Sequence, residues 1–122
     1  MNLHDVSTQF GTLCLTEDDG AITGLSWQAS GRSDDTALLR AAVAQLRAYD
    51  AGTLERFDLP LRVAGSDLQR AVCAAMSAIP HGFTRTYGEI ARDVGASAQA
   101  VGQACGGNPV PVIIPCHRVM GA

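Results

Sequence analysis

At 122 residues and 47% hydrophobic content, the chain can build one ordinary domain or two small lobes sharing an interface. A formal net charge of −3 argues against a strongly electrostatic nucleic-acid binder. No apolar run reaches the length of a membrane span, and the start Met1-Asn2-Leu3-His4-Asp5 lacks the basic and apolar blocks of a signal peptide, so a cytoplasmic chain without a membrane partner is expected.

In chain order, residues 11–16 and 21–27 are β-like runs separated by Glu17-Asp18-Asp19-Gly20, whose Asp-Gly is a hairpin signal. Residues 34–51 carry Leu38, Leu39, Val43, Leu46 and Tyr49 at mostly three- and four-residue spacing before Gly52, which predicts an amphipathic helix. Residues 57–61 read as extended. At Ala64-Gly65-Ser66 the character changes to short helices, giving an expected division into an N-terminal α/β lobe, 1–64, and a C-terminal lobe, 65–122.

Ser66 can cap a helix running to about Ile79, with Leu68, Val72, Met76 and Ile79 on one face and Pro80 as its stop. After the turn His81-Gly82-Phe83-Thr84, two short helical patterns, 87–94 and 97–105, are joined by Gly95-Ala96, the spacing of a helix-turn-helix. The second pattern is small and nearly uncharged, so its backbone can approach another helix or a DNA groove. The expected class is α+β: a small sheet with a helix, then a mostly helical lobe with a helix-turn-helix-like (winged-helix-like) unit.

The charge divides with the lobes. Residues 1–65 hold five Arg against nine acids, net −4, and residues 66–122 hold four Arg against three acids, net +1. The four cysteines, Cys14, Cys73, Cys105 and Cys116, form no Cys-x-x-Cys pair, and His4, His81 and His117 are scattered, so neither a disulfide framework nor a metal site is expected. Walker-type loops and dinucleotide fingerprints are absent, and no cofactor is expected.

Chemistry concentrates near the end, where the apolar run Val110-Pro111-Val112-Ile113-Ile114 leads to Cys116 beside His117 and Arg118. A buried thiol is normally inert unless a base or positive charge lies close. His117 is the obvious base, yet neighbouring side chains diverge, so a bridging water or a turn at Pro115 is required.

Pro115-Cys116-His117-Arg118-Val119 belongs to a longer pattern. Together with Gly82-Phe83-Thr84-Arg85-Thr86-Tyr87-Gly88-Glu89-Ile90-Ala91, Ala100-Val101-Gly102-Gln103-Ala104 and the stretch from Asn108, it resembles the O6-alkylguanine-DNA alkyltransferases, or methylated-DNA-protein-cysteine methyltransferases. Residues 1–62 also look like that family's less specific N-terminal lobe. The resemblance implies DNA repair by irreversible, single-turnover transfer of an alkyl group from guanine O6 in double-stranded DNA to Cys116. It makes His117 a water-linked base, Asn108 part of the supporting network, and Tyr87 the residue that helps turn the nucleotide out and donates toward the departing base. The helix holding Ala98, Gln99, Ala100 and Gly102 becomes the minor-groove recognition helix, with Arg85 and Arg118 among the DNA contacts. A monomer is expected. Some family members bind zinc in the N-terminal lobe, but Cys14, His4 and His81 do not form a credible ligand set.

Two departures follow from the same resemblance. Gln99 stands where the family usually has an arginine that fills the gap left by the flipped nucleotide, so weaker or altered flipping is expected. The family continues beyond residue 122 with a pocket-closing loop and a helix whose glutamate completes the Cys-His relay, so the chain reads as a truncated form with impaired transfer. The alternative is a non-catalytic alkyltransferase-like damage-binding module, against which the retained Cys116 counts. A transcription regulator would call for a recognition helix richer in Arg, Asn and Gln.

Overall fold

Asp19 and Gly20 both take positive φ, 49° and 76°, as a type I′ hairpin turn requires. They join β2 (Gly11–Asp18) to β3 (Ala21–Ser26), close to the expected hairpin. The computed structural model describes residues 1–9 and 11–121, and the chain divides into two compact units, the first ending at Arg62 and the second starting at Val63.

In the first unit, β1 (Asn2–Thr8) pairs antiparallel with β2, giving the order β1-β2-β3. This strand was not among the expected elements. Only Val6 of its seven residues is buried, so there is no apolar alternation to read; pairing along β2 creates it. Helix α1 (Ala37–Asp50) packs on β1 and β2, burying Leu39, Ala42 and Leu46 against a core with Val6, Leu13, Leu15, Ile22 and Leu25.

α1 starts later than its periodicity suggested because the preceding polar residues serve elsewhere. The Asp34 carboxylate accepts from Leu3 N at 2.9 Å and pairs with Arg32, while Thr36 caps the helix by accepting from Leu39 N at 3.0 Å. Thr36 also donates to the buried Glu17 carboxylate at 2.8 Å, and Asn2 donates to its other oxygen at 3.0 Å. The extended segment lies along β3: Ile22 N donates to Pro60 O and Arg62 N to Ile22 O.

In the second unit, Ser66 caps α2 (Asp67–Ser77) by accepting from Gln69 N. Val72, Cys73 and Met76 are buried, as is Ile79 just beyond the helix. α3 (Tyr87–Val94) opens on a reciprocal capping box, Thr86 accepting from Glu89 N at 3.1 Å and Glu89 accepting from Thr86 N at 2.9 Å. Gly95, at φ 72°, ends α3 in the left-handed conformation, and Ser97 caps α4 (Ala98–Gly106).

These three helices pack pairwise around Ile90, Ala91, Val101 and Cys105, with Val110, Ile113 and Ile114 completing the core. A two-residue parallel ladder joins β4 (Arg85–Thr86) to β5 (Val119–Met120), pairing Arg85 with Val119 and Thr86 with Met120. Among the described residues, no helix is long and apolar enough to cross a membrane.

Candidate active site

Asn108 organises the approach to Cys116. Its backbone N–H donates to Cys105 O at the end of α4, at 3.2 Å, while its Oδ1 accepts from Val110 N at 3.0 Å, an Asx-type turn. Its Nδ2 donates to Ile114 O at 2.9 Å. The same carbonyl accepts from Cys116 N at 2.9 Å, so one side-chain amide fixes the peptide group on which Cys116 hangs. Within this loop Val112 takes φ 75°, which costs a β-branched residue about 1–3 kcal/mol and persists only where surrounding bonds over-determine it.

Pro115 is buried, and the chain then makes a single 3-10 turn, Cys116–Arg118, with Arg118 N donating to Pro115 O at 3.1 Å. At three residues per turn, successive side chains point about 120° apart. Cys116 and His117 therefore diverge on this turn. Cys116 is half-buried, and it is the one cysteine of the four that is not fully buried.

Burial pushes the Cys73 and Cys105 thiols above the ordinary cysteine range; a Gln69 hydrogen bond eases Cys73 downward, and Cys116 raises both. The Cys105 thiol also donates to the Met76 sulfur at 3.5 Å. Both stay protonated and packed. His117 is exposed, yet desolvation by the nearby protein lowers its pKa, with further lowering from Arg118 and then His81. At neutral pH the imidazole is neutral and able to accept a proton.

Tyr87 is half-buried as the first residue of α3, reached directly from β4, whose partner strand β5 follows the Cys-His turn. On α4, Val101, Ala104 and Cys105 face the core, while Ala98 and Gln99 are exposed and Ala100 and Gly102 half-exposed. A Cβ added to Gly102 would meet nothing within 4 Å, so its smallness is not demanded by packing inside the protein.

The arginines expected on DNA have partners within the chain. Arg85 pairs with Asp93 at 2.6 Å, and Arg118 donates to Ile79 O at 2.8 Å. Arg92 lies exposed in the last turn of α3.

Gln69 was not singled out from the sequence. From α2 it donates to Ala104 O at 2.8 Å, holding the C-terminal end of α4, and Gly107 leaves room for it: a Cβ there would stand 3.2 Å from Gln69 Oε1. Only the fold brings positions 69 and 104 together. The capping box was within reach, since Thr86-Tyr87-Gly88-Glu89 carries its spacing.

Residues 67–122 match the family described as 6-O-methylguanine DNA methyltransferase, DNA binding domain. The chain is 42% identical over 126 residues to the methylated-DNA–protein-cysteine methyltransferase of Mycolicibacterium paratuberculosis, an alignment covering 96% of this chain and 76% of that protein. It is 51% identical over 90 residues to the Mycobacterium bovis protein of the same name, covering 72% of this chain and 54% of the relative. Among solved structures, the Mycobacterium tuberculosis O6-methylguanine methyltransferase superposes with a TM-score of 0.89 at 39% identity, covering 99% of this chain and 79% of that one. The M. tuberculosis protein crystallised in complex with DNA gives a TM-score of 0.89 at 40% identity, covering 100% and 80%. At 42% identity over 96% of its length, and with its fold superposing on that of the M. tuberculosis methyltransferase, this chain belongs to the methylated-DNA–protein-cysteine methyltransferase family.

Proposed function

We propose that the protein repairs DNA by taking the alkyl group from O6-alkylguanine in double-stranded DNA onto Cys116, once per molecule. The sulfur attacks the alkyl carbon, an S–C bond forms, the C–O6 bond breaks, and its electron pair stays with guanine. His117, neutral at physiological pH, takes the thiol proton through a bridging water, and Tyr87 donates toward the departing base. Asn108 holds the Ile114 carbonyl to which the Cys116 N–H is bonded. The observation that carries this reading is Cys116 itself: the single cysteine outside the buried set, on a turn fixed by Asn108, beside a histidine kept neutral.

The C-terminal lobe, 65–122, supplies both DNA reading and chemistry. Ala98, Gln99, Ala100 and Gly102 present the exposed side of α4 to the minor groove, where small side chains permit close approach and an extruded, weakly paired base costs least. Gln99 occupies the gap left by the nucleotide without adding charge. Arg85 and Arg118, with the exposed Arg92, supply the salt-sensitive contacts to phosphate. The protein acts as a cytoplasmic monomer.

Intact-mass analysis of the full-length protein after incubation with a duplex carrying O6-methylguanine tests the reading. One methyl group gained per molecule is expected. Tight binding to the alkylated duplex with no gain in mass would instead identify a damage-binding module.

A further inference from the structure

The Cys-His turn is tied down on two sides, and only the near side, through Asn108, belongs to the reading above. On the far side the Arg118 guanidinium crosses to Ile79 O at 2.8 Å, a carbonyl 39 residues earlier, just past the C-terminal end of α2. The last carbonyls of a helix lack intrahelical donors and carry the negative end of its dipole. α2 has no basic residue in its own last turn. Arg118 supplies from outside the positive charge that such an end favours, bonded to the first carbonyl beyond the cap residue Ala78.

The anchor is firm at both ends. Ile79 is 2% exposed, and Val119, directly after Arg118, is buried and paired with Arg85 in the parallel ladder. The guanidinium is thereby held at Ile79, from where its charge acts on the His117 ring. His81, from the turn after α2, also acts on that ring, and Cys116 neighbours His117 in the chain.

We propose that Arg118 is a positioning residue for the reaction: its bond to the Ile79 carbonyl fixes the far side of the Cys116–Arg118 turn and holds a positive charge where it acts on the His117 ring. The bond sets where the sulfur points, and the charge disfavours a second positive charge on the imidazole, preserving it as a base. Burial and His81 act in the same direction. This role deepens the alkyl-acceptor reading and rests on it for its purpose, but it is measurable without DNA.

Three variants separate the two contributions. R118Q keeps a donor for the carbonyl and drops the charge, R118K keeps the charge on a single ammonium, and R118M drops both. Imidazole NMR titration is expected to move His117 to higher pH in R118Q and R118M, while R118K stays near the parent. Carbamidomethylation of Cys116 by iodoacetamide at neutral pH, followed by peptide mass, is expected to slow about tenfold in R118M, the scale of losing a supporting partner behind a reactive group. If R118M does not fold, the R118Q titration decides. A His117 titration in R118Q that overlays the parent, or an unchanged Cys116 rate in folded R118M, overturns the proposal. Absence of methyl transfer from DNA by the parent protein, with both expected shifts present in the variants, would overturn the alkyl-acceptor reading and leave the Arg118 contacts standing.

Discussion

One set of polar side chains in each unit shows two ways of fixing a fold. In the first, Asp5, Glu17 and Asp34 lock secondary structure to loops: Asp5 accepts from Ser30 N, Ser30 Oγ and Gly31 N, Glu17 joins β1 to the cap of α1, and Asp34 ties that cap region to Leu3. In the second, Asn108, Arg118 and Gln69 each donate to a backbone carbonyl, at Ile114, Ile79 and Ala104, around the Cys-His turn and the helix before it. Carboxylates that accept from exposed loops build a scaffold. Neutral or cationic donors satisfying backbone carbonyls near a half-buried thiol hold a reactive group in place without placing an anion beside it, which would oppose thiolate formation.

The largest expected effect falls on the cores, where the units should behave alike. Leu15→Ala in the first and Met76→Ala in the second each remove a fully buried side chain and should cost about 2–5 kcal/mol in urea denaturation. Met76→Ala should also raise the labelling rate of Cys105, whose thiol bonds the Met76 sulfur; equal labelling in parent and variant would break that link. Asn108→Ala comes next. It leaves Val110 N without its side-chain acceptor and Ile114 O with one donor fewer, for about 1–3 kcal/mol, and should slow Cys116 alkylation where a scaffold substitution of equal cost does not. Thr86→Ala removes one half of the α3 capping box and should cost about 1 kcal/mol by thermal melting, with hydrogen exchange faster in the first turn of the helix.

The smallest effects are in pH dependence, and they differ in sign of charge between the units. Hydrogen bonds from Ser30 and Gly31 hold Asp5 down to about 2. Its folded-state pKa lies below the unfolded value, so its contribution is present above about 4 and lost as pH falls through about 2; Asp5→Asn should flatten that acid limb. His117 is lowered from 6.5 by burial and by Arg118 and His81. Here the unfolded chain binds the proton more readily, so stability rises with pH toward 6.5 and is lost on acidification below it. His117→Gln should remove that slope while leaving the Asp5 limb intact, as read from denaturation midpoints across the range.

How far the sequence carried depended on whether the signal was local. Ser66, Ser97 and Gly95 mark the ends of α2, α4 and α3 at the residue level, and the apolar spacing from Val72 to Ile79 shows the buried face of α2. β1 was invisible because Asn2–Thr8 buries a single side chain, and the β4–β5 ladder because two residues carry no periodicity. The Cys116-His117 pair was legible as chemistry, and the family resemblance supplied roles for Asn108 and Tyr87. What Asn108 and Arg118 bond to was not legible. Both partners are backbone carbonyls, which no residue type announces, and Ile79 lies 39 positions from Arg118.

Peptide-resolved mass spectrometry of all four cysteines, after reaction of the full-length protein with a duplex bearing isotopically labelled O6-methylguanine, bears most directly on the claim that this turn makes one thiol an acceptor. The account predicts label on Cys116 alone, at no more than one equivalent, with Cys14, Cys73 and Cys105 unmodified. Label on Cys73 or Cys105, or no label on any cysteine, would contradict it.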